Sequence, residues 1–157
     1  MHYPLINNSK QSNAAFSLME VMVVIAIIGI LSAVAIPNMI AWRNNSQYSA
    51  AVRMAKSAID NMRMKAIKSN MPARVDFVLG TRTFNTLEWD FAANAYAAAK
   101  TFQLPVGTTI FNSNFGGNTY VEFNSRGMAT NGTLVIRGSN GRSSNIVVNI
   151  VGTSQIQ

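Results

Sequence analysis

The chain has 157 residues, 48% of them hydrophobic and 12% charged, enough for one domain of ordinary size plus a further segment. It holds no cysteine, which excludes disulfides, thiolate metal sites and cysteine nucleophiles. The net charge is +7, and the residues after Pro37 alone carry 12 Lys and Arg against 5 Asp and Glu; that balance attracts polyanions or acidic partners, with a solvated basic face as the plainer reading.

The first element in chain order is an uncharged run over residues 21–42. As a helix these 22 residues span about 33 Å, close to the hydrocarbon thickness of a bilayer. Three readings compete: a secretory signal cut after Ala33-Val34-Ala35, an ordinary signal anchor, or a leader cut before the apolar run. Glu20 discriminates among them. A carboxylate at a membrane helix centre costs roughly 2.5–3.5 kcal/mol, less near the interface, and the only charges before it are Lys10 and the amino terminus. Cleavage between Ala15 and Phe16 creates a cationic α-amino group four residues from Glu20, one helical turn away, in the same subunit or a neighbour.

The stretch Ala15-Phe16-Ser17-Leu18-Met19-Glu20-Val21, continuing through aliphatic residues to Leu31, resembles the N-terminus of type IV pilins and pseudopilins. Ala15 departs from the usual glycine but stays small, and Pro37 stands where the family commonly has proline. Arg43 and Arg53 after the span, against Lys10 before it, run counter to the positive-inside rule. The resemblance implies a cytoplasmic leader, residues 1–15, removed by prepilin peptidase between Ala15 and Phe16. It also implies methylation of Phe16, register setting by Glu20, and a single-pass bacterial inner-membrane subunit with a periplasmic C-terminal domain. Gly29 and Pro37 weaken a helix and predict a modest kink.

Beyond Pro37 the helical pattern resumes. Tyr48, Val52, Ala55, Ile59, Met62 and Ala66 form one apolar stripe, with Arg53, Lys56, Asp60 and Arg63 on another side. Lys56 with Asp60, and Asp60 with Arg63, are helix-neighbour pairs. The helix should end near Ser69-Asn70, before Pro72. One long helix over about residues 16–68 is expected, its membrane half at 16–42 and its amphipathic half at 43–70.

The period then changes to 2. Strands are expected at residues 74–79 and 82–89, and a helical turn or loop at the alanine-rich 92–99. Short strands at 101–104 and 108–111 flank Pro105-Val106-Gly107, followed by a loop at 112–118 and a strand at 120–123. Residues 133–137 and 145–151 flank Ser139-Asn140-Gly141-Arg142, a hairpin signal. The fold class is therefore α+β: a long N-terminal helix packed on an antiparallel sheet or sandwich over residues 71–157.

Val121-Glu122-Phe123-Asn124-Ser125-Arg126-Gly127, Gly132-Thr133-Leu134-Val135-Ile136 and the strand ending at Gly152 are similar to the GspH/FimT family of minor pseudopilins, and Arg63 with Ala66-Ile67 also fits. Where a basic residue often follows the final glycine, Thr153 stands instead. This resemblance implies a minor pseudopilin of a type II secretion pseudopilus that supports protein secretion. Its partners would be prepilin peptidase, other pseudopilins or minor pilins, the inner-membrane assembly platform, and the bilayer before assembly. The alternatives are a minor pilin priming a type IV pilus, or a DNA-binding pilin in natural transformation.

Catalytic chemistry finds little support. His2, the only histidine, lies in the expected leader. Glu88 and Asp90 share a strand face but suit solvation better than acid–base work, and no acid follows Glu122 to build a calcium site. The chain reads as a non-enzyme without metal or cofactor. Arg126, Arg137 and Arg142 in the hairpins are candidate polyanion contacts, although no aromatic residues interleave with the hairpin arginines to stack bases.

Overall fold

The computed structural model describes residues 16–97 and 99–157. The described chain divides into two compact units, with the boundary between Met39 and Ile40. One helix, α1, covers Leu18–Ser69 and is continuous through Gly29 and Pro37. Pro37 has no N–H, so the carbonyl of Ala33 lacks its usual helical donor.

In the first unit α1 exposes its apolar side chains all round, from Leu18 at 81% to Ile36 at 58%. A helix apolar on every side belongs in a membrane or in a bundle. Gly29 fits the same picture, since an added Cβ there would meet no atom within 4 Å.

In the second unit the expected stripe is the buried face: Tyr48, Val52, Ala55, Ile59, Met62 and Ala66, joined by Ala51. The helix ends in a Schellman motif. Asn70 takes positive φ (54°), its N–H bonding the Ile67 carbonyl, and the Met71 N–H reaches the Ala66 carbonyl. Pro72 then prevents continuation.

Nine antiparallel strands follow among the described residues. One sheet joins β1 (Ala73–Phe77), β2 (Thr83–Asp90), β3 (Ala95–Tyr96), β4 (Lys100–Gln103) and β6 (Tyr120–Phe123). β2 holds β1 along one edge and both β3 and β4 along the other. The second sheet runs β5 (Thr108–Phe115), β7 (Gly132–Gly138), β8 (Ser143–Val148), β9 (Ser154–Ile156). Alternate residues of both sheets meet the helix stripe. Phe77 and Phe115 stack with ring centroids 6.0 Å apart, carrying the core from one sheet to the other.

Three elements differ from the sequence expectation. The loop expected at 112–118 is strand as far as Phe115, because a bulge between Ile110 and Asn112 resets the alternation. Past the bulge Ser113 faces inward and its hydroxyl donates to the Thr119 carbonyl (3.1 Å). The alanine-rich stretch contains β3, held by pairing with Trp89 and Asp90 and by Tyr96 packing edge-on against Trp89 (5.2 Å). Finally, the strand expected at 145–151 ends at Val148; a turn through Gly152 (φ +78°) returns the chain as β9.

Candidate assembly and interaction sites

The N-terminal site is built on Ser17. Its hydroxyl accepts the Glu20 N–H (3.2 Å) and its carbonyl accepts the Val21 N–H (3.2 Å), so Ser17 is the N-cap and Glu20 the third helical residue. The Ser17-x-x-Glu20 spacing is that of a capping box, a signal the sequence itself carries. Glu20 is exposed and makes no ion pair among the described residues. Phe16 is 78% exposed. Ala15 and the expected leader lie outside the described residues.

Polar side chains of α1 latch the second unit together. Arg63 Nε donates to the Gly127 carbonyl (3.1 Å) rather than pairing with Asp60 as the helix spacing suggested. Asp60 receives the Ser154 hydroxyl at 2.5 Å on one oxygen and Lys56 at 2.5 Å on the other. Lys65 pairs with Glu88, and Asp90 caps the turn at Ala92 (2.9 Å), so the two acids of β2 have separate structural partners. Tyr48 donates to the Ser144 hydroxyl (2.6 Å), and Asn140 Nδ2 donates to Asn45 Oδ1 (2.8 Å).

A second cluster lies on the first sheet. Arg74 is sandwiched between the rings of Tyr96 (4.4 Å) and Tyr120 (4.8 Å) and pairs with Asp76 (Nη2–Oδ2 3.2 Å). Burial raises the Asp76 pKa above its ordinary 3.8, against the pull of Arg74. Burial, then the neighbouring Glu122 carboxylate, raises the Tyr96 phenol above its ordinary 10.0.

The three hairpin arginines do not converge. Arg126 lies in the Asn124–Gly127 turn, whose Gly127 carbonyl is bonded by Arg63. Arg137 and Arg142 belong to the β7–β8 hairpin, whose turn is tied to Asn45, 18 residues or about 27 Å of helix away from Arg63. The expectation that these arginines lack aromatic neighbours is corrected: Arg137 stacks on Phe111 (3.4 Å) and Arg142 lies over Tyr48 (5.8 Å). Both rings come from distant elements, so sequence proximity could not reveal them. An apolar cleft of about 310 Å³ runs along Met54 and Ala58 opposite Phe84 and Phe102.

An apolar N-terminal helix with a lone carboxylate in its first turn, joined to a helix-packed pair of antiparallel sheets, defines a pilin-like subunit. Residues 10–36 match the prokaryotic N-terminal methylation motif, and residues 51–152 match the family described as Type II transport protein GspH. The chain belongs to this GspH family. Its fold is similar to the minor pseudopilin EpsH of the Vibrio cholerae type 2 secretion system: TM-score 0.59, 16% identity, 71% of this chain and 96% of that one. It is also similar to the type IV minor pilin FimU of Pseudomonas aeruginosa: TM-score 0.58, 12% identity, 74% of this chain and 92% of that one. No curated protein matches the chain. The protein is thus a GspH-family chain with a prokaryotic N-terminal methylation motif and the pilin-like fold.

Proposed function

We propose that this protein is a minor pseudopilin of a type II secretion pseudopilus. Residues 1–15 are a cytoplasmic leader that prepilin peptidase removes between Ala15 and Phe16, and the Phe16 amine is then methylated. Residues 16–42 hold the subunit in the inner membrane, 43–70 form the soluble half of the helix, and 71–157 the periplasmic domain. Gly29 and Pro37 are the points at which the helix loosens during assembly.

The observation that carries this reading is Glu20, exposed and without an ion pair among the described residues, one turn from Phe16 and followed by an uncharged stretch as far as Trp42. In lipid such a carboxylate is costly, and a neighbour's cationic N-terminus relieves that cost while fixing subunit register. Other pseudopilins and the inner-membrane assembly platform are the partners this requires. Glu20→Ala is expected to insert into the membrane normally but to co-purify poorly with the filament; undiminished co-purification would contradict the role.

The similarity to FimU favours one second reading, a minor pilin that primes a type IV pilus. Affinity capture of the full chain from its native host separates the two: secretion pseudopilins support the first reading and pilus subunits the second.

A further inference from the structure

The uncharged run ends at Trp42, and Arg43 follows at once. A tryptophan and then an arginine at the end of an apolar helix mark a membrane–water interface. Trp42 is 70% exposed and Arg43 is also exposed. Asn45 stands three residues on, about 4.5 Å along the helix, and Tyr48 about 9 Å.

The second unit attaches two turns at this level. The β7–β8 turn is tied to Asn45 through Asn140 (2.8 Å) and Arg142 (3.5 Å). The turn before β5 joins it, the Ser139 N–H bonding the Gly107 carbonyl (2.7 Å), and a Cβ built on Gly107 would lie 3.9 Å from Gln47. Its tip, Val106, is an apolar side chain left 65% exposed. Behind the tip, Arg82 and Arg137 line one groove of about 600 Å³ together with Thr108 and Ser139.

None of Arg43, Arg82, Arg137 or Arg142 forms an ion pair among the described residues. The acids lie elsewhere. Asp60 is 15 residues, about 22 Å, further along the helix than Asn45, Glu88 pairs with Lys65 beyond it, and Asp76 pairs with Arg74. This end of the domain therefore combines an interfacial tryptophan, an exposed aliphatic tip and guanidinium groups that form no ion pair among the described residues.

We propose that this end is a lipid-docking surface: the guanidinium groups of Arg43, Arg137 and Arg142 bind phosphates of anionic phospholipid headgroups, and Val106 dips into the interface. The proposal rests on the membrane-anchored reading above. Each arginine near an anionic bilayer contributes about fivefold to the docking equilibrium, and salt weakens it. Docking holds the domain against the membrane before assembly and must be released when the subunit leaves the bilayer.

The absence of cysteine allows a single label. The full chain carrying Val106→Cys with an environment-sensitive fluorophore is reconstituted in nanodiscs of phosphatidylglycerol or phosphatidylcholine; a label at Thr153→Cys is the distal control. A blue shift and quenching by lipid-borne nitroxide are expected at position 106 in phosphatidylglycerol, reversed by salt, and absent at position 153. Arg137→Gln with Arg142→Gln should lower the docked-to-free ratio about 25-fold, and the corresponding Lys pair should retain most of it. Equal signals in both lipids, or no change in the Gln variant, would overturn the proposal. So would a response in phosphatidylcholine to inorganic phosphate or to added duplex DNA, which would assign the arginines to a free anion or to nucleic acid. Co-flotation with the bilayer is read in the same samples. A chain that floats but fails to dock refutes only this inference, whereas one that does not float refutes the anchored reading as well.

Discussion

Arg63 and Gly127 are joined by a hydrogen bond of 3.1 Å from Nε to the carbonyl oxygen, linking the last turns of α1 to the turn after β6. Gly152 closes the junction from the other side. A Cβ at Gly152 would stand 1.9 Å from the Gly127 oxygen and 3.0 Å from Arg63 Nε, and its φ of +78° already disfavours any other residue. Arg63 thus bonds one glycine turn while a second, far away in sequence, packs closely against both.

Gly152→Ala should therefore destabilise the protein by on the order of 3 kcal/mol or more, through backbone collision and strain together. Arg63→Ala, which leaves the Gly127 carbonyl without its partner, should cost about 1.5–3 kcal/mol. Chemical denaturation of the two variants should rank them in that order. A Gly152→Ala protein as stable as wild type would show that this junction does not hold the fold.

The last strand depends on Asp60. Ser154 donates to its carboxylate at 2.5 Å, and β9 is only three residues long. Ser154→Ala should cost about 1.5–3 kcal/mol, the range for a hydrogen bond to a charged group. Amide exchange at residues 154–156 should accelerate well before the other strands are affected. Unchanged exchange there would place the anchoring of β9 in its ladder bonds to β8 alone.

Two groups on the first sheet predict opposite ends of a pH profile. Asp76 has a raised folded-state pKa, so its contribution is complete below 3.8 and is lost as pH rises through the folded value. Tyr96 is also raised, so its neutral form is favoured on folding and stability is lost as pH climbs above 10.0. The melting temperature of Asp76→Asn relative to wild type should therefore increase as pH rises above 3.8. Tyr96→Phe should gain on wild type only above 10.0. A pH-independent difference in either comparison would contradict the assigned cause.

Local signals carried much of this architecture. The period of 3.6 through Tyr48, Val52, Ala55, Ile59, Met62 and Ala66 named the buried helix face, because a helix stripe needs no knowledge of its partner. The hairpin at Asn140-Gly141 was legible for the same reason: turn chemistry is local. What escaped was set by contacts distant in sequence. β9 exists because Asp60 receives Ser154, β3 because Tyr96 meets Trp89 and Arg74, and the extension of β5 is hidden by its bulge. At the N-terminus, Phe16 and Glu20 were readable from pattern and charge. Ser17 needed the helix start to be located before its capping role was clear. The aromatic partners of Arg137 and Arg142 could emerge only from the packing of β5 and α1 on the hairpin.

The central claim is that Glu20 acquires its partner by proteolysis at the Ala15–Phe16 bond. The mass of the N-terminal peptide of the protein isolated from its native membrane tests this most directly. A chain beginning with methylated Phe16 is the predicted result. A chain beginning at Ile36, or one that still carries residues 1–15, would contradict the account.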